Sequence, residues 1–139
     1  MLDLRTHEVS TVPGSRGLWF PRWSLDGHYI AAVTPDSQQV MLFNSITRKW
    51  SLLSKPAFAG WPSWSHDGQY LYLDVLGADT TFIRLRISDR KSEHVASLKN
   101  LRRAFGDTYW WTGLAPDNSP LVLRDAGTQE IYALDWQLP

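Results

Sequence analysis

The chain has 139 residues, with 14 basic and 14 acidic side chains that cancel to a formal net charge of zero. That length is about one domain, and the balanced charge leaves no global field to draw nucleic acid or an anionic membrane, so neither is expected as a direct partner. Cysteine is absent while there are eight Trp, and so many large rings need many flat surfaces to be buried between. No apolar run approaches the roughly 18 residues of a membrane-spanning helix, and the first ten residues, MLDLRTHEVS, carry no apolar signal-peptide core.

Taken in order, residues 2–4 read as the tail of one strand and residues 5–6 as a turn. Residues 7–12, with Val9, Thr11 and Val12, read as a full strand ended by Pro13 and Gly14. Residues 1–18 thus form closing strands. A motif follows that the chain contains twice. Pro21, Trp23, Ser24, Asp26 and Gly27 return as Pro62, Trp64, Ser65, Asp67 and Gly68, 41 positions later. The register extends beyond it, matching Thr6 with Thr47, Ser10 with Ser51 and Tyr29 with Tyr70. A fixed period of about 40 residues marks a propeller or solenoid.

Residues 19–54 read as one blade with strands at 19–24, 29–34, 40–43 and 50–53. Residues 55–98 repeat it with strands at 61–65, 70–75, 81–87 and 94–98. Four short antiparallel strands per 40 residues is one propeller blade. The strand YLYLDV (70–75) is apolar on both faces, so both must be covered. The third copy is worn. Its motif position holds Asp117 and Asn118, 50 positions after Asp67, so about nine extra residues fall in an inserted loop at 99–108. Residues 109–139 supply strands at 110–114, 121–123 and 130–136 without a fourth.

The fold class predicted is all-β, with propeller blades of four antiparallel strands and three blades per chain, one split between the termini. Residues 2–4 match 134–136, so the ends are complementary. The expected assembly is half of a six-bladed ring, completed by a head-to-tail homodimer or by the remainder of a longer chain.

The Pro-x-Trp-Ser-x-Asp-Gly motif followed by an apolar strand resembles the WD40-like repeat of the TolB family, the PD40 repeat. The ending at residues 131–136 is similar to the closing strand of six-bladed propellers appended to bacterial winged-helix regulators. The resemblance implies a propeller part, a sensor or protein-binding module; the winged helix, and the hydrolase domain that TolB-like propellers cap in prolyl oligopeptidases, lie outside this sequence.

No nucleophile elbow, phosphate loop, dinucleotide fingerprint or zinc-protease motif occurs. The histidines at 7, 28, 66 and 94 stand at no zinc-ligand spacing. Asp26, Asp67 and Asp117 recur once per copy, where Asp in a turn accepts hydrogen bonds from its own backbone. Trp23 and Trp64 are expected as core between blades. Arg84, Arg86, Arg90 and Lys91 read as a solvated basic face. Insertions in repeat proteins map to loops and often to the binding face, which makes Lys99, Arg102, Arg103, Trp110 and Trp111 the candidate binding loop, expected at the surface. The function expected is a non-catalytic binding or scaffold module for a protein or ligand, with no cofactor or metal. The alternatives are the propeller portion of a larger peptidase or glycosidase, or the sensor domain of a transcriptional regulator.

Overall fold

A computed structural model of the protein describes residues 1–104, 111–128 and 130. Its first sheet runs β1 (Trp19–Trp23), β2 (Tyr29–Val33), β3 (Val40–Asn44) and β4 (Lys49–Ser54). The second runs β5 (Ser63–Trp64), β6 (Tyr70–Val75), β7 (Thr81–Arg86) and β8 (Ser92–Ser97). β9 (Thr112–Leu114) and β10 (Pro120–Val122) form a two-stranded sheet. Within each sheet the strands lie in sequence order and every pairing is antiparallel. These meanders are two four-stranded propeller blades and the opening strands of a third. The predicted third strand at 130–136, apart from residue 130, and Trp110 lie outside the described residues.

The repeated motif makes the turn between a blade's first two strands. Gly27 and Gly68 take φ of 71° and 69°, and Asn118 stands in for them at 65°. Asp67 Oδ1 accepts the Ser65 hydroxyl at 2.6 Å and the Gln69 N–H at 3.0 Å. Asp26 does the same with Ser24 and His28, and Asp117 takes the Ser119 N–H. Those hydroxyl and amide bonds hold Asp26 and Asp67 below the ordinary carboxylate pKa, and the Ser119 amide does so for Asp117. Each carboxylate thus serves its own turn, and among the described residues no three potential metal ligands cluster.

The strand β6 is covered on both faces, as its composition requires. Leu71 and Leu73, fully buried, pack with Ala31, Val33 and Leu42 of the first blade. Tyr72 points the other way, into a second core with Phe82, Leu98, Leu114 and Val122 beside the third blade. Burial of each such side chain contributes roughly 1.5–3 kcal/mol.

The first ten residues depart from the expected strand. Residues 7–12 form no strand; a single antiparallel bridge joins Leu2 to Val9, and Leu4 and Val9 are each 82% exposed. The reason is a tight turn. His7 N–H donates to the Asp3 carbonyl, Asp3 N–H to the Glu8 carbonyl, and Ser10 N–H to Met1. The same turn joins β3 to β4 and β7 to β8. Arg48 N–H donates to the Asn44 carbonyl and Arg90 N–H to the Arg86 carbonyl. His7, Arg48 and Arg90 all adopt left-handed φ, at 59°, 55° and 60°. The segment is a copy of a third-to-fourth-strand hairpin, too short to extend its ladder. Between it and the first blade runs a groove of about 460 Å³ lined by Val9, Val12, Pro21, Trp23, Ile30 and Trp50.

Candidate functional site

The blade turns alternate between two sides of the arc. The Ser-x-Asp-Gly turns and the β3–β4 type turns share one side. The β2–β3 turn and the connection from β4 to β5 share the other. On that connector side, between the two complete blades, lies a cleft of about 320 Å³.

Its walls are aromatic. Phe20 and Trp61 rings pack with centroids 4.2 Å apart. Trp19 meets Phe20 edge-on at 6.1 Å, and Phe58 and Pro35 complete the rim. Trp19 and Phe58 are about half exposed. Phe20 reaches its position at φ 52°, a left-handed conformation that is an outlier for a bulky residue. It coincides with a break in register between Trp19 and Arg22 on β1.

The floor is a buried carboxylate. The Asp74 side chain, 1% exposed, faces the Arg103 guanidinium, 7% exposed, with Nη1 to Oδ2 at 2.9 Å. The Trp61 backbone N–H donates to Asp74 Oδ1 at 3.2 Å and the Thr112 hydroxyl at 3.3 Å. Arg103 and Thr112 belong to the third blade's approach and to β9, so the pair ties two blades together. Gly60 makes room for it, since a Cβ there would fall 1.9 Å from Asp74 Oδ1. Asp74 occupies the repeat position of Val33, 41 residues earlier.

A further turn braces the rim. Thr34 hydroxyl donates to Asp36 Oδ1 at 2.5 Å and Gln39 N–H to Thr34 Oγ1 at 3.0 Å. This is the Ser-x-Asp turn reused at the opposite end of the blade. It sets Ser37 at φ 58°, with its carbonyl accepting the Ala59 N–H at 2.6 Å.

The candidate loop is therefore not uniformly at the surface. Arg103 is buried because Asp74 would otherwise be an uncompensated charge in the interior, and residues 102–104 run beside residues 123–125. Lys99 and Arg102 are exposed, paired with Asp79 and Asp125. Trp23 is also not core; it is 47% exposed. Trp64 does lie between blades, stacked on Tyr29 at 6.3 Å with its N–H donating to the Arg22 carbonyl at 2.9 Å. Trp23, Trp64, Trp111 and Asn118 line an open recess of about 590 Å³ along the first strands, where Asn118 Oδ1 accepts the His66 N–H at 2.8 Å. Arg84 and Arg86 are held by Glu93 and stack over Tyr70, and Arg90 donates to the Leu52 carbonyl, so this face is internally paired. Motif reading missed Asp74, Gly60 and Phe20. The signal was available for Asp74: laid against the first copy, it is a charge in an apolar column.

No family model matches the chain, and no curated protein matches it. Solved propeller structures do. A structure from a study of two prolyl endopeptidases aligns at 20% identity with a TM-score of 0.54, covering 77% of this chain and 18% of that one. TolB from Acinetobacter baumannii aligns at 16% identity and TM-score 0.52, covering 80% and 39%. The dihydro-heme d1 dehydrogenase NirN, solved in complex with DHE, aligns at 18% identity and TM-score 0.56, covering 87% and 26%. The chain spans less than half of each. At these identities the likeness carries the fold, which is that of β-propeller blades.

Proposed function

We propose that this chain is a non-catalytic β-propeller module that binds a ligand through the aromatic cleft above Asp74. One coincidence carries the reading: a left-handed Phe20 and a buried Asp74 break local rules within a single cleft. Departures of that kind concentrate at ligand clamps and functional sites. The cleft also has the form of a binding site, concave and apolar with few polar groups. The test is titration with the apolar dye anilinonaphthalene sulfonate, following its fluorescence. The intact chain should show a saturable component that Phe58→Ser removes; titration curves identical in both proteins would overturn the reading.

The proposed partner for the open blade faces is a second copy, placed head to tail. The Leu2–Val9 hairpin supports this, since it is a third-to-fourth-strand turn beside an apolar groove, and an uncovered strand edge and apolar face invite pairing. Light scattering should give twice the chain mass of 15.9 kDa, and removal of residues 1–12 should abolish the defined species. A monodisperse, folded monomer would refute it. A second reading makes the chain the propeller portion of a larger protein, an enzyme such as a peptidase or glycosidase, or a regulator's sensor domain. The small share of each compared chain that it spans favours this.

A further inference from the structure

We propose that the cleft takes a proline-rich peptide segment in the polyproline II conformation, an inference that rests on the reading of the cleft as a ligand site. The argument is one of matching donors, acceptors and shape. The cleft offers flat rings from Trp19, Phe20, Phe58 and Trp61. Its acceptor is already in use: the Asp74 carboxylate takes bonds from Trp61 N–H, Thr112 and Arg103. Its indole donors are open. Trp50 and Trp64 give their indole N–H groups to the carbonyls of Pro13 and Arg22, whereas among the described residues the indole N–H groups of Trp19 and Trp61 have no acceptor; the Trp61 bond to Asp74 comes from its backbone.

A site with flat apolar walls and spare N–H donors fits a ligand with flat apolar rings and spare acceptors. Proline residues have no N–H to satisfy. A polyproline II segment makes no internal hydrogen bonds and presents its carbonyls outward, and aromatic-lined grooves recognise it in that form. The alternatives fit less well. A cation would meet Arg22, whose guanidinium already stands 5.4 Å from the Trp61 ring centre, above a carboxylate that Arg103 has neutralised. A sugar needs donors and acceptors together, and the cleft's carboxylate acceptor is already taken by Trp61 N–H, Thr112 and Arg103. The volume of about 320 Å³ lies at the small end of ligand cavities, roughly 300–1,000 Å³, enough for a short stretch of such a peptide.

The experiment titrates a proline decamer into the full chain, following tryptophan fluorescence and displacement of the bound dye. A glycine-serine decamer runs beside it. The proline decamer should saturate and displace the Phe58-dependent dye component. Trp61→Phe, which keeps a ring and deletes the N–H, should weaken it at least tenfold, and Ile46→Ser on the opposite side should leave it unchanged. If the dye binds at the cleft but the proline decamer binds no tighter than the glycine-serine one, the ligand class is wrong and the cleft reading survives. If the dye shows no Phe58-dependent component and the decamer does not bind, both fall.

Discussion

The two faces of β6 solve one problem in two ways. Toward the first blade, Leu71 and Leu73 are buried among aliphatic side chains. Toward the third, Tyr72 packs apolar neighbours, but Asp74 replaces the next hydrocarbon with an ion pair to Arg103. At this first junction the attraction between the aliphatic side chains is that of buried area, which is non-directional, with hydrogen bonds from Trp64 to the Arg22 carbonyl and from Arg90 to the Leu52 carbonyl beside them. The second is held partly by a charge pair with defined partners and little tolerance for the loss of either. A buried pair of this kind contributes little net stability over a well-packed apolar substitute, and the penalty appears when one partner is removed. The difference teaches that the blades are alike in strand order while their junctions are individually specified.

The largest effect expected is from Arg103→Met, which strands Asp74 in the interior. It should cost about 3–5 kcal/mol, read by denaturant unfolding. Asp74→Val together with Arg103→Met should recover most of that loss. If the double variant is as unstable as the single one, the second junction is not governed by charge compensation. On the aliphatic side, Leu71→Ala should cost about 2–5 kcal/mol from lost transfer energy and the remaining cavity, with no compensating partner substitution available. A loss below that range would mean that the first junction collapses to fill the space.

Smaller effects test what surrounds the junctions. Gly68→Val places a branched side chain at φ 69° and should cost at least ~1 kcal/mol, visible as a lower Tm; a fully stable variant would show the turn to be misread. Arg102→Ala, by contrast, removes an exposed partner of Asp125 and should shift stability by no more than ~0.5 kcal/mol. That contrast with neighbouring Arg103 sharpens the comparison within two adjacent residues. The weakest effect is pH-dependent. Asp67 ionises below its ordinary value of 3.8 in the fold, so its contribution is present above that pH and fades as pH falls below it through the depressed value. The Tm difference between the native chain and Asp67→Asn should shrink from pH 6 to pH 3; a constant difference would show that the charge contributes nothing.

Much of the architecture was legible because it is local. Gly27, Gly68 and the Ser-x-Asp turns state their geometry within five residues, and alternating apolar runs between them locate the strands. The hairpin at residues 1–10 was legible as the end of one strand and the start of the next, but its length was not, because β propensity in Val9, Thr11 and Val12 does not say whether a neighbouring strand is there to pair with. The candidate site was mostly illegible. Arg103 reads as solvated in any local window, and only the distant Asp74 draws it inside. Phe20 carries no mark of its left-handed backbone, which depends on the packing of Trp19 and Trp61 around it. Trp23 and Trp64 share a motif position, yet one has a neighbouring sheet to cover it and the other an open groove.

The span of the Asp74–Arg103 contact bears on the order in which the molecule assembles. The turns close over a handful of residues, whereas this pair joins positions 29 apart. Closing a longer loop carries the greater entropic cost before any contact forms, so hairpins come together early and the pair arrives late. A contact absent from the transition state acts on the escape rate from the native state and not on the rate of reaching it. Arg103 is then a kinetic clasp, and its removal should appear in the unfolding limb of the chevron, with the refolding limb nearly unmoved.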